Sequence, residues 1–221
     1  YDLKIVGSAN TIDMASNTVF SDSLSAPSNS TMITPVTTIM AESSLTKEQV
    51  VATLGLPVGM DPLTFSAFDA TLSDADKLTA LKVEKAAQKV MAIVSTFATA
   101  AEASGATASV SFDAAMKAVV AEVVTATTAY ELAVTNSTTP VVLAFTDAQV
   151  DDVKLAMDTV IAAEIVAGTM TTAMSDVFTA QVTNNVIALK NVVGKIDAIV
   201  ENTANLDLSL SSNIFALTSV L

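Results

Sequence analysis

Apolar and polar side chains alternate near the start of the chain, a pattern typical of half-buried β-strands. Leu3 and Ile5 lie on one face of the segment 1–6, and Ile12 and Met14 lie on one face of the segment 11–20. Val19 falls out of step with the second pattern. The sequence therefore predicts two short strands in this region.

The end of the chain shows the same alternation, followed by a second apolar run, IFALTSVL. The apolar positions are Leu206, Leu208, Leu210, Ile214 and Phe215. We predict one or two further strands here. Another apolar run, VVLAF at residues 141–145, is open to two interpretations, a strand or a buried linker.

Between the two ends, helix start and stop signals divide the chain. Thr46 begins a capping-box pattern, TKEQ, and Gly55 follows as a stop signal, which predicts a helix over residues 46–54. Ser73 and the acidic residues after it open a long second helix, which Gly105 closes.

Similar signals divide the following residues into three more helices. Ser111 with Asp113 is predicted to start one helix, Thr146 begins a second capping box, TDAQ, and Gly168 marks a break. Apolar residues at helical spacing predict faces that pack against other helices. They are Phe112, Met116, Val119, Val123, Ala126, Tyr130 and Val134, then Val150, Val153, Met157, Val160 and Ile161, and finally Val182, Val186, Leu189, Val193, Ile196 and Val200.

Together these patterns predict an α+β protein that is mainly α. We expect an antiparallel helical bundle over residues 41–204. A β segment over 1–40 leads into the first helix, and a second β segment over 205–221 completes a small sheet formed by the N- and C-terminal segments. We expect these three parts to form one compact unit.

Composition narrows the classes of function. The formal net charge is −13, the chain lacks His, Cys and Trp, and all ten basic residues are lysines. An acidic surface without arginine repels nucleic acid and anionic lipid headgroups, so we expect no nucleic-acid binding. The longest uncharged run, residues 23–41, is rich in Ser and Thr and is broken by Pro27 and Pro35, so we expect no membrane insertion. High Thr, Ser, Asn and Ala content with few charges favours a secreted or cell-surface protein.

Candidate chemistry is sparse. Without His and Cys, the common nucleophiles, proton shuttles and di-iron ligands are missing. A Ser-x-x-Lys match at Ser44 and Lys47 is better explained by its place beside a helix cap. We predict no enzyme, no cofactor and no metal site. Ca²⁺ stays an alternative at the acidic pairs Asp74 with Asp76 and Asp151 with Asp152, although neither has EF-hand spacing.

Three motifs in order resemble a known module. They are LSAPSNSTMITPVTTI at 24–39, LGLPVGMDPLTF at 54–65 and KAAQKV at 85–90. Residues 18–104 are similar to a module of very large secreted, adhesin-like surface proteins of Gram-negative bacteria. The resemblance implies a strand, a short helix, a loop and a long Ala-rich helix, with no catalytic residues. The Gly- and Asp-rich Ca²⁺ repeats that often flank the module are missing here.

The predicted terminal strands suggest a function. A sheet of few strands has exposed edges, and an edge that accepts a strand from the next subunit produces an open filament. We expect a structural subunit of an extracellular bacterial filament or surface layer, whose partners are copies of itself or neighbouring modules. The expected contacts are Leu3, Ile5, Ile12, Met14, Leu206, Leu208, Leu210, Ile214 and Phe215. In the alternative geometry both ends pair within one chain. The alternative function is an adhesin or spacer module that binds a glycan or receptor.

Overall fold

The computed structural model describes residues 2–13, 19–136, 146–199 and 208–209. Within them the chain forms two strands and six helices, so the predicted class, mainly α with a small sheet, is confirmed. The strands are β1 (Leu3–Val6) and β2 (Ser23–Ala26). The helices are α1 (Pro35–Glu42), α2 (Lys47–Thr53), α3 (Asp74–Ala103), α4 (Ala108–Asn136), α5 (Gln149–Val166) and α6 (Thr172–Asp197).

The sheet consists of two antiparallel strands, with Leu3 opposite Ala26 and Val6 opposite Ser23. The strand predicted at 1–6 is therefore confirmed. The one predicted at 11–20 is reduced, in its described part, to a single bridge between Ile12 and Val19. Met14 lies outside the described residues.

The C-terminal prediction needs a correction where it can be compared with the structure. Leu208 and Ser209 form a turn, so the strand predicted through them is wrong at these two positions. Leu208 is only 3% exposed and packs in a small cluster with Ala67, Ala80 and Leu81. The alternating pattern placed Leu208 on a sheet face, but the side chain is instead buried in this apolar cluster of its own chain. The remaining predicted positions, Leu206, Leu210, Ile214 and Phe215, lie outside the described residues, as does the segment 141–145.

Local capping explains where most helices begin. The Thr46 and Ser73 hydroxyls accept hydrogen bonds from the N–H groups of Gln49 and Asp76, as predicted. Thr34 caps α1 in the same way and places Pro35 at the first helical position, where its missing N–H costs nothing.

Two predicted helix starts are wrong. Helix α5 begins at Gln149 without a side-chain cap, although the sequence predicted a capping box that begins at Thr146. Helix α4 begins at Ala108, whereas the sequence predicted a start at Ser111. Ser111 lies one turn inside the helix, where its side chain is fully buried and its hydroxyl has no hydrogen-bond partner among the described residues. Gly105, with φ of 105°, ends α3 in the left-handed conformation, so α4 can start immediately afterwards.

The four long helices form the bundle. Helix α3 packs against α4 and α6, and α5 packs against α4 and α6, while α1 and α2 pack against α4. Within the described residues, the predicted apolar stripes face the core, which includes the fully buried rings of Phe97 and Phe178. Val200, the last position of the α6 stripe, lies outside the described residues. The α4 stripe leaves the core at its C-terminal end, where Val134 is exposed.

Threonines are frequent inside these helices although threonine is a modest helix former. Many of their hydroxyls donate to the carbonyl four residues earlier, which satisfies the hydroxyl without interrupting the helix. Examples are Thr96, Thr125, Thr127, Thr128, Thr135, Thr159 and Thr183. The threonine hydroxyls therefore have hydrogen-bond partners within these long helices.

Two buried lysines of α3 hold the C-terminal end of α6. The Lys85 Nζ donates to the carbonyl oxygens of Asp197 at 3.1 Å and Ile199 at 3.2 Å. The Lys89 Nζ pairs with the Asp197 carboxylate at 2.8 Å. Positive charge is favourable at a helix C-terminus, whose last carbonyls lack partners inside the helix. The point where the chain leaves α6 is thereby attached to α3.

Helix α4 is also apolar along most of its length. An 18-residue window within Ala108–Thr135 has a mean hydropathy of 1.3, and the helix could cross a membrane by length and composition alone. The core helix of a bundle meets the same criteria. The expectation of no membrane insertion therefore stays a prediction.

Candidate functional site

The two edges of the sheet differ, and the edge of β2 is closed. The Thr38 hydroxyl accepts a hydrogen bond from the Ser25 N–H at 3.0 Å. The Thr37 and Thr38 hydroxyls lie 3.3 and 3.0 Å from the Ser25 carbonyl oxygen. Both threonines are fully buried. Helix α1 therefore covers the side on which another strand could pair with β2.

The edge of β1 is open in the part of the chain that the structure describes. Ser25 lies opposite Lys4 and directs its backbone groups away from β1, so this pair is not hydrogen-bonded across the ladder. Gly7 donates to the Asp22 carbonyl at 2.7 Å, as the alternation of an antiparallel ladder requires. The backbone N–H and C=O groups of Lys4 and Val6 consequently point outward, where the structure describes no further strand.

Exposed apolar side chains surround this open edge. Val6 is 70% exposed and its neighbours in the strand are partly exposed. The exposed apolar residues of this N-terminal patch are Leu3, Ile5, Val6, Ile12 and Val19. Three of them, Leu3, Ile5 and Ile12, are residues that the sequence predicted as contacts. An apolar edge strand of this kind favours pairing with another strand.

Leu208 differs from the other predicted contacts that can be placed. Its side chain is buried among residues of its own chain, so in this conformation it is not offered to a second molecule. The structure therefore separates it from Leu3, Ile5 and Ile12.

The edge is held in position by close packing behind it. A Cβ atom on Gly7 would lie 2.4 Å from the Phe20 carbonyl oxygen and 2.5 Å from that of Asp22, so the backbones approach closely only because residue 7 is glycine. The Phe20 ring packs edge-on against Phe112 of α4, with 6.2 Å between centroids. These contacts connect the sheet to the bundle.

Acidic residues flank the sheet where it meets the helices. Desolvation raises the pKa of Asp22, and the negative charges of Glu102 and Asp113 raise it further. Desolvation also raises the pKa of Glu42, against the opposing effect of its hydrogen bond from Ser25. A raised carboxyl pKa means that the folded chain favours the protonated form, so repulsion here weakens as the pH falls.

The acidic pairs considered as Ca²⁺ ligands form other interactions in the structure. Asp76 accepts a hydrogen bond from the Ser73 hydroxyl at the start of α3, and Lys77 lies 3.8 Å from Asp74. Asp151 pairs with Lys190 of α6. Among the described residues, no group of three or more His, Cys, Asp or Glu side chains is placed to hold a metal ion.

The loop of the second motif also has structural roles. The Asp61 carboxylate accepts from the Leu63 N–H at 3.1 Å and pairs with Lys47 of α2 at 3.3 Å. Asp61 therefore shapes the turn that leads from α2 towards α3.

Comparison with protein-family models, curated proteins and solved structures finds no match to this chain. The resemblance to an adhesin-like module thus stays a prediction from the motifs.

Sequence reasoning missed part of this site. Val6 and Val19 belong to the exposed patch, and their exposure follows from the hairpin geometry rather than from alternation. Thr37 and Thr38 belong to the first motif of the resemblance, but their role in closing β2 depends on a contact with residue 25. No local sequence signal identifies that contact.

Proposed function

We propose that this protein is a structural subunit of an extracellular bacterial filament or surface layer, which assembles head to tail when another copy adds a strand to β1. The observation that supports this proposal is the asymmetry of the sheet. Helix α1 closes the β2 edge, whereas β1 presents outward backbone groups beside exposed apolar side chains. A two-stranded sheet is marginal alone and gains stability from a third strand.

The proposed donor is the C-terminal apolar segment after Ser209, which includes Leu210, Ile214 and Phe215. Leu208 is packed inside its own subunit, so the donor begins beyond it. Donor and acceptor are then different surfaces, and contacts of this type propagate unless the rotation between subunits closes a ring. The resemblance of residues 18–104 to modules of surface proteins is consistent with an extracellular location.

Val6→Pro should abolish filament formation. The Val6 N–H points away from β2, so proline removes a donor that an added strand would use while the β1–β2 hydrogen bonds remain. Val6→Thr is the matched control, because it keeps the N–H and the β-branched shape. Electron microscopy at rising protein concentration should show filaments for wild type and Val6→Thr and none for Val6→Pro, with equal helical circular dichroism in all three.

A mixing experiment tests the donor. Val6→Pro has a blocked acceptor and an intact donor, whereas a chain ending at Ser209 has an intact acceptor and no donor. Each should remain monomeric alone, and the mixture should form a discrete dimer by light scattering. Filaments from either variant alone would contradict this polarity. Monomers of all chains, wild type included, would favour the spacer or adhesin alternative.

A further inference from the structure

A groove of about 670 Å³ runs between α4 and α5, on a different part of the molecule from the β1 edge. Small residues on α4, at every fourth position, keep it open: Ala121, Thr125, Ala129 and Ala133. Leu155 and Val160 of α5 form the facing wall, and Tyr130 lies beside it. Its volume is within the range of small-molecule sites, ~300–1,000 Å³.

Glu122 lines this groove and is the unusual residue in it. Its side chain is on the buried face of α4, and the residue is 6% exposed. Nothing in the described part of the chain donates a hydrogen bond to its carboxylate or forms an ion pair with it. Burial and the negative charge of Asp152 raise the pKa of Glu122 to about 7. The residue is buried overall, but its carboxylate oxygens reach solvent at the groove, so they lack a protein partner and are accessible to a ligand.

The other groups that line the groove indicate the missing partner. Asp152 adds a second carboxylate, Tyr130 adds an aromatic ring, and no lysine is among the described residues that line the groove. Two acids without a cation favour a positive ligand, and an aromatic face adds attraction for ammonium groups. The walls are otherwise mainly alkyl surface, which suits an apolar body and not a hydrated metal ion.

We propose that the groove between α4 and α5 binds a small organic ammonium compound with an apolar body, and that Glu122 is its counter-ion. The ammonium group donates hydrogen bonds to the Glu122 carboxylate near Asp152, while the apolar body lies between Ala129 and Leu155. This site is independent of strand addition at β1.

Isothermal titration with n-hexylammonium at pH 8.5 tests the proposal, because Glu122 is then ionised and an alkylamine with a pKa near that of lysine, ~10.4, is protonated. Wild type should bind saturably, and n-hexanol, which has the same alkyl chain without charge, should bind about tenfold more weakly. Binding of the amine should also weaken about tenfold or more at pH 5.5, where Glu122 holds a proton. Among the described residues, Asp152 and Tyr130 are the other titratable groups that line the groove.

Glu122→Gln should weaken hexylammonium binding about tenfold at pH 8.5, because it removes the charge with little change of shape. Glu131→Gln is the matched control, since it removes the same charge from an exposed position on α4 outside the groove. Its affinity should equal that of wild type. Equal binding by Glu122→Gln and wild type, equal binding of hexanol and hexylammonium, or no saturable binding by wild type would each overturn the proposal.

Discussion

Phe97→Ala should lower the free energy of unfolding by ~3–5 kcal/mol, the usual range for deleting a buried aromatic ring. Phe97 is fully buried in α3, which packs against both α4 and α6. Alanine would leave a cavity that the surrounding helices can fill only partly. Domains are typically stable by ~5–15 kcal/mol, so the loss is a large part of the total. Urea unfolding followed by circular dichroism at constant pH measures it.

Two further variants make this result specific. Phe97→Leu keeps much of the volume and should cost ~1 kcal/mol. Ile187→Ala removes a similar apolar side chain from α6, but Ile187 is 71% exposed, so its cost should stay within ~0.5 kcal/mol. If Phe97→Ala costs no more than Ile187→Ala, the position of Phe97 in the core is wrong.

Glu84→Gln should make the chain more stable than wild type at pH 8, with the difference disappearing towards pH 5. Burial raises the pKa of Glu84 from 4.5 to about 7, Asp13 adds to the increase, and the hydrogen bond from Gln88 partly opposes it. Between these two values the folded chain holds a proton that the unfolded chain has released. Stability therefore falls as the pH rises through this interval, by roughly 3 kcal/mol at ~1.36 kcal/mol per pH unit, and is constant above it.

Glutamine is neutral at every pH and resembles the protonated acid. The substitution therefore removes the loss of folding stability that Glu84 causes as the pH rises. Urea unfolding of both proteins at several pH values between 4.5 and 8.5 gives the difference directly. Glu131→Gln removes a charge from an exposed position and should show no such trend. A difference that is independent of pH would mean that Glu84 is not a buried acid. The pKa values of Glu122, Asp22 and Glu42 are also raised, so the stability of Glu84→Gln should still fall as the pH rises, but less steeply than that of wild type.

Local signals in the sequence predict the helix starts because capping involves neighbours in the chain. Thr46 and Ser73 bond to residues three positions later, which the sequence displays directly. Ser111 looked like the same signal, but whether a serine caps or lies buried depends on the surrounding helices. The burial of Leu208 could not be predicted from local sequence either, because its partners Ala67, Ala80 and Leu81 are distant in the chain.

The candidate sites also combine features that the sequence predicts with features that depend on contacts between distant elements. Alternation identified Leu3, Ile5 and Ile12 as side chains of an N-terminal sheet, but not which edge of the sheet is closed, because Thr37 and Thr38 act on residue 25 from another element. Glu122 interrupts a row of buried alanines, Ala115, Ala118 and Ala126, so the pattern alone could have marked it as unusual. The groove beside it depends on the spacing between α4 and α5, which no single-helix pattern contains.

The attachment of α6 to α3 has a mechanical consequence. Tension on the backbone beyond Ile199 acts on the carbonyls and the carboxylate that Lys85 and Lys89 hold. The two lysines are four positions apart and so lie one turn apart on α3. A pull on the chain beyond Ile199 is therefore shared with α3 before the last turn of α6 can unwind. If the proposed filament is under tension, Lys85 and Lys89 would keep the C-terminal end of α6 attached to α3.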